Sequence, residues 1–162
     1  MEELYRSYLT FLRSMAKGLE NLTNLAEKKY AAAQKDDLLT LNELVNQEQA
    51  QSLNFRGLEL TRNKLLPQLG LENVPMEQVP DHFPPEMREE ARQAVKAVRS
   101  RYQMYQLSAK KARSLLEQSL REVERTLQSM GGPPAAEPGA PGYEKEAETA
   151  APPPSMKTDF RA

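Results

Sequence analysis

One histidine, His82, is present in the 162 residues, and there is no cysteine. General acid–base chemistry at neutral pH most often uses an imidazole within hydrogen-bond reach of the group it serves. His82 lies in "VPDHFPP", among prolines that break regular structure, and reads as an ordinary exposed loop residue. Without cysteine the chain has no thiolate nucleophile, no disulfide and no cysteine-ligated zinc. The segment "GGPP" at 131–134 is no phosphate cradle, because its prolines remove the amides a phosphate needs. Glu89 and Glu90 fall in the opening turn of a long helical pattern and are explained as its solvated start. No enzyme, metal or cofactor is therefore expected.

Two further groups of residues invite a chemical reading. The run "RSRYQMYQLSAKKAR" interleaves Arg99, Arg101, Lys110, Lys111 and Arg113 with Tyr102 and Tyr105, the composition of a nucleic-acid face. Both tyrosines, however, keep step with the apolar residues of a helix while the basic residues mostly do not, so a packed stripe beside a solvated face is the stronger reading. Met15, Met87 and Met104 need no cofactor, since thioethers fill helical cores and also suit adaptable binding surfaces. What remains is binding through apolar helix faces, and that depends on the elements that carry them.

Proline marks those elements out. None occurs before Pro67, five fall between Pro67 and Pro85, none follows until Pro133, and seven crowd the last thirty residues. An interior proline removes a backbone donor and clashes with the preceding turn, so the two proline-free stretches are where long helices can run. Tyr8, Leu12, Met15, Leu19, Leu22 and Ala26 step by fours and threes along one face, predicting a helix over about 3–34. Lys35 suits a helix end, and Asp36 and Asp37 suit a helix start, which predicts a tight reversal there. A second helix, about 38–66, carries Leu41, Leu44, Phe55, Leu58 and Leu65, with Leu69 next in line after it, but Glu48 and Gln51 interrupt its seam. Gly70 is a natural terminator, and the connection 67–85 holds at most one helical turn, near Pro75 to Val79. A third helix, about 86–130, presents Met87, Ala91, Val95, Val98, Tyr102, Tyr105, Ala109, Ala112, Leu116, Leu120, Val123, Leu127 and Met130. It is the longest, on the order of 65 Å.

Residues 131–162 are rich in Pro, Gly, Ala and Glu with little to bury. Ordering them would cost roughly 1 to 2 kcal/mol per residue without return, so a disordered tail is expected, with residues 1–130 as one helical domain. Aromatics make up only 6 % of the chain, which favours long helices with thin seams over a thick core. The fold class read here is all-α: an elongated, coiled-coil-like antiparallel three-helix bundle with a disordered C-terminal tail. No apolar run approaches the roughly 20 residues of a membrane span, and "MEELYRSYL" lacks the basic and apolar regions of a secretory signal. A cytoplasmic location is expected. Charge is nearly balanced overall, at −1, but net +4 on residues 86–130 faces net −5 on residues 36–85. This favours the second and third helices as neighbours.

Helix lengths add a less generic expectation. If the third helix lies beside the second, only its first 30 or so residues are shielded. The far end, with Leu116, Leu120, Val123, Leu127 and Met130, then projects with its apolar stripe uncovered. Each such side chain gains about 1.5 to 3 kcal/mol on full burial, so a partner is implied: a second copy in a weak homodimer, the tail folded back, or an amphipathic helix from another protein.

The run "KDDLLTLNELVNQEQA", then "RNKLLPQLGL", a connection, a long helix containing "ARSLLEQSLREVERTL" and a low-complexity tail holding Tyr143 and closing on "FRA" resemble the FlgN family of flagellar export chaperones. The likeness spans nearly the whole chain. It implies a small cytoplasmic helical protein that binds the C-terminal helical segments of the hook–filament junction proteins FlgK and FlgL. It also implies that the chaperone prevents their premature assembly and delivers them to the export gate protein FlhA. On this reading Leu116, Leu120, Val123, Leu127 and Met130 bind the client, and Tyr143, Phe160 and Arg161 dock the tail on client or gate. Ala109 and Ala112 stand where the resemblance implies asparagines, so no role of those amides carries over. The competing readings are a coiled-coil adaptor that self-associates through the same stripe, and a nucleic-acid binder using the basic face.

Overall fold

A computed structural model describes residues 1–131. Three helices account for most of them: α1 (Glu2–Gln34), α2 (Leu38–Leu69) and α3 (Pro85–Ser129). Among the described residues there is no strand.

The reversal between α1 and α2 falls where the charges place it. Lys35 ends α1, Asp36 adopts a positive φ of 53° to turn the chain, and Asp37 caps α2 by accepting the Thr40 amide at 3.2 Å and the Thr40 hydroxyl at 2.7 Å. These bonds hold the Asp37 carboxyl below its ordinary pKa, since they favour its charged form. At the other end α2 runs to Leu69, three residues past the expected stop at Leu66. Pro67 is accommodated in the last turn, and Gly70, at φ 70°, makes the left-handed cap. The helical turn expected at Pro75 to Val79 is present, with the Val79 amide donating to the Pro75 carbonyl at 3.2 Å, and it runs on into a 3-10 turn at Val79–His82. It delivers Phe83 against the rings of Tyr5 and Tyr8, 4.6 and 6.1 Å away, and so seats the start of α3 beside the start of α1.

All six residues of the α1 stripe are buried. Leu9, Phe11, Leu25, Ala32 and Ala33 widen the apolar surface to either side of it. With that breadth α1 serves both partners: α2 packs on it, α3 packs on it, and α3 scarcely meets α2. The expectation that the second and third helices are neighbours is met only by single side chains, such as the Glu48 carboxylate of α2 near Tyr105 of α3, and the main packing surface of both helices is α1. Burial outweighs long-range charge balance, because the inward face of α2 is partly polar while α1 offers a continuous apolar one. The basic residues of α3 are matched elsewhere: Arg101 meets Glu20 of α1 at 2.9 Å, Arg99 meets Glu77 of the connection, and Arg92 meets Asp81 at 3.1 Å.

Cross-helix pairs fix the directions. Arg13 pairs with Glu90, Glu20 with Arg101, and Lys111 lies 4.3 Å over the ring of Tyr30, so α1 and α3 advance in parallel. Between α1 and α2 the pairing is antiparallel. Phe55 fills the space left by the missing side chain of Gly18, and Lys29 reaches Glu48 at 3.0 Å with both side chains buried. The bundle runs up, down and up.

Candidate protein-binding surface

The register of α3 on α1 sets where its cover ends. Tyr30 lies under Lys111, Ala112 is buried, and Leu115 and Leu116 are half-buried against the core, while α1 stops at Gln34. From Glu117 to Ser129 the helix continues with neither α1 nor α2 beside it, a projection of about 20 Å. Its stripe stays in line with the core residues below, since Leu116, Leu120, Val123, Leu127 and Met130 repeat the three-and-four spacing of Val98, Tyr102, Tyr105 and Ala112. Leu120, Val123, Leu127 and Met130 are 43 to 77 % exposed.

Of the five residues read as a binding stripe, four are therefore exposed together on the projection. Leu116 is the exception. It packs partly on the core and marks the foot of the projection. The overhang is real although the neighbour that sets it is α1, because α1, at 33 residues, is about as short as α2. Helical spacing places Glu117 and Glu124 on one flank of the stripe and Ser119, Thr126 and Glu122 on the other, with Arg121 and Arg125 behind. The rims of the stripe are acidic or hydroxylic.

A second apolar feature had no period to announce it. Leu38 and Leu39, the first two residues of α2, are 66 and 82 % exposed at the tip of the α1–α2 hairpin. Adjacent leucines at a helix start belong to no stripe; the only sequence signal was a pair of large apolar residues directly after two aspartates.

The other residues that invited a chemical reading fall out as follows. Tyr102 and Tyr105 are buried in the core, and burial, followed by the nearby Glu48 carboxylate, pushes the Tyr105 phenol above its ordinary pKa. Arg99, Arg101 and Lys111 are engaged within the bundle, so the basic run is no separate patch. Met15 and Met87 fill the core, whereas Met104 is on the surface. Ala112 is buried and Ala109 half-buried on the side facing α1. His82 is exposed, and its carbonyl accepts the Tyr5 hydroxyl at 3.3 Å. Among the described residues no group of acidic or histidine side chains is arranged to hold a metal, and no helix is long and apolar enough to cross a membrane. Tyr143, Phe160 and Arg161 lie outside the described residues.

The bundle thus runs up, down and up, and its last helix outreaches the others by an apolar stripe. The model of one protein family, described as FlgN protein, matches residues 1–150. The chain belongs to the FlgN family. No curated protein and no solved structure matches it significantly. FlgN-family membership carries with it the role of a flagellar export chaperone, a protein of flagellar assembly that works by binding other chains. The match runs past α3, so the FlgN-family pattern includes part of the Pro-rich segment as well as the bundle.

Proposed function

We propose that this chain binds the C-terminal helical segments of the hook–filament junction proteins FlgK and FlgL in the cytoplasm. It keeps them from assembling early and delivers them to the export gate protein FlhA at the cytoplasmic face of the export apparatus. It acts by binding, without catalysis. The observation that carries this reading is the exposed stripe Leu120, Val123, Leu127 and Met130, in line with the core and covered by nothing in the bundle. An amphipathic client helix laid along it completes the bundle as α1 does below. Burying those four side chains contributes at most roughly 6 to 12 kcal/mol. Association itself costs about 4 to 15 kcal/mol in lost freedom. The net is modest, which suits a carrier that must release its cargo. Tyr143, Phe160 and Arg161 supply a further anchor, on client or gate.

Calorimetric titration with FlgK and FlgL C-terminal segments tests this. Full-length chain is expected to form a one-to-one complex. The double variant Leu120→Ser, Leu127→Ser is expected to lose at least tenfold in affinity with an unchanged melting temperature, because neither residue supports the bundle. Deleting residues 131–162 is expected to weaken the gate interaction if the tail anchors on the gate, and client binding if it anchors on the client. A tight homo-oligomer that takes up no client would instead favour the self-associating adaptor.

A further inference from the structure

The side of α2 turned away from α1 carries a seam of its own. Leu39, Leu53 and Leu60 are 82, 64 and 63 % exposed. Helical spacing sets them on one line, opposite the buried Leu41, Leu44 and Phe55. Exposed Asn46, Ala50 and Gly57 fill the steps of three and four between them, Glu43 lies on the same line near its start, and Lys64 lies on it near its end.

Two features of this line have no explanation within one chain. Neither Glu43 nor Lys64 is engaged by another side chain among the described residues, and both are exposed. Gly57 stands in a helix interior, where glycine is unfavourable, yet a side chain there would meet nothing within 4 Å. At Gly18, by contrast, the ring of Phe55 takes the space.

We infer that this seam is a self-association surface, on which α2 of a second copy lies antiparallel. Charge and the place of the small residues assign the occupant. In an antiparallel pair the line meets itself reversed. The register that sets Glu43 opposite Lys64 of the second copy also sets Ala50 opposite its Gly57, because both pairs are centred midway between Leu53 and Asn54. A two-fold axis at that point makes each contact twice and brings the two copies of Leu53 side by side. The facing small residues let the backbones approach closely. A parallel pair instead sets Glu43 on Glu43 and Lys64 on Lys64, like charge against like. Apart from Arg56, the positions flanking the line are uncharged, so nothing there favours a strongly acidic or basic partner. With three large apolar residues per copy, and Asn46 in line with them, the association is weak and reversible. It uses no residue of the α3 stripe, and so stands or falls independently of the client-binding reading.

Sedimentation of the full-length chain over a concentration series tests this. A reversible monomer–dimer equilibrium is expected. Glu43→Lys turns two attractions into two repulsions and is expected to weaken it about five- to tenfold. Glu43→Lys with Lys64→Glu only reverses each pair and is expected to restore the parent value. Both variants are expected to keep the parent melting temperature at concentrations where the chain is monomeric, since both positions are exposed. The absence of cysteine lets orientation be read by mixing Ala50→Cys and Gly57→Cys chains under oxidation. Disulfides are expected between the two variants and few within either. A chain that stays monomeric, an association unmoved by Glu43→Lys, or disulfides formed chiefly within each variant would overturn the inference. Dimers abolished by Leu120→Ser, Leu127→Ser would assign self-association to the α3 stripe, and dimers abolished by deleting residues 131–162 would assign it to that segment; either result overturns the inference as well.

Discussion

At the scale of single residues, two polar contacts decide how the hairpin is held. Lys29 and Glu48 meet at 3.0 Å with both side chains nearly excluded from water. An ion pair in that setting gains little over an apolar pair, but removing one partner strands the other. Lys29→Met alone is expected to destabilise by about 3 to 5 kcal/mol, while Lys29→Met with Glu48→Leu recovers most of the loss; denaturant melts of the two variants check this. Glu48 was visible in the sequence as an intruder in the seam of α2. Its partner stands at the next step of the α1 stripe, three residues after Ala26, but only the antiparallel register brings the two together. Asp37 governs the turn. Its pKa is lowered in the folded chain, so its contribution is present above the ordinary aspartate range and lost as pH falls through the folded value. Asp37→Asn is expected to melt lower than the parent near neutral pH, and the gap is expected to close as pH falls through and below the ordinary aspartate range. A gap that does not depend on pH would mean the carboxylate charge is irrelevant to the cap.

At the scale of elements, α2 is the helix held by the fewest means. Apart from the leucines near its two ends, it is anchored by Phe55 against Gly18, where a Cβ on residue 18 would come within 3.0 Å of the ring. Phe55→Ala is expected to cost about 3 to 5 kcal/mol. Gly18→Leu, which must push the ring out, is expected to cost about 1 to 3 kcal/mol or more. Hydrogen exchange should find the middle of α2 opening more readily than the middle of α1, because Glu48 and Gln51 replace apolar cover there. Equal protection along both helices would contradict this. Helix existence and most boundaries were legible because proline, the Asp36–Asp37 pair and Gly70 act locally. The end of α2 was misplaced by three residues because a proline in the last turn forfeits only a bond near the helix end.

At the scale of the whole molecule, the order of helices in space was the part the sequence did not yield. Net charge suggested that α2 and α3 are neighbours, but the breadth of the apolar face on α1, set by Leu9, Phe11 and Leu25 beside the main stripe, draws both onto α1 instead. The overhang does not depend on which helix lies beside α3, since α3 is longer than either partner. The central claim is that the uncovered stripe of α3 is where the client is held, and methyl-resolved NMR of the full-length chain tests it most directly. Titrating in a FlgK or FlgL C-terminal segment is expected to move the methyl resonances of Leu120, Val123 and Leu127 while those of Leu12 and Leu19, enclosed by the bundle, stay in place. Binding that leaves the three projecting residues unmoved and instead shifts Leu53 and Leu60 on the outer side of α2 would contradict it.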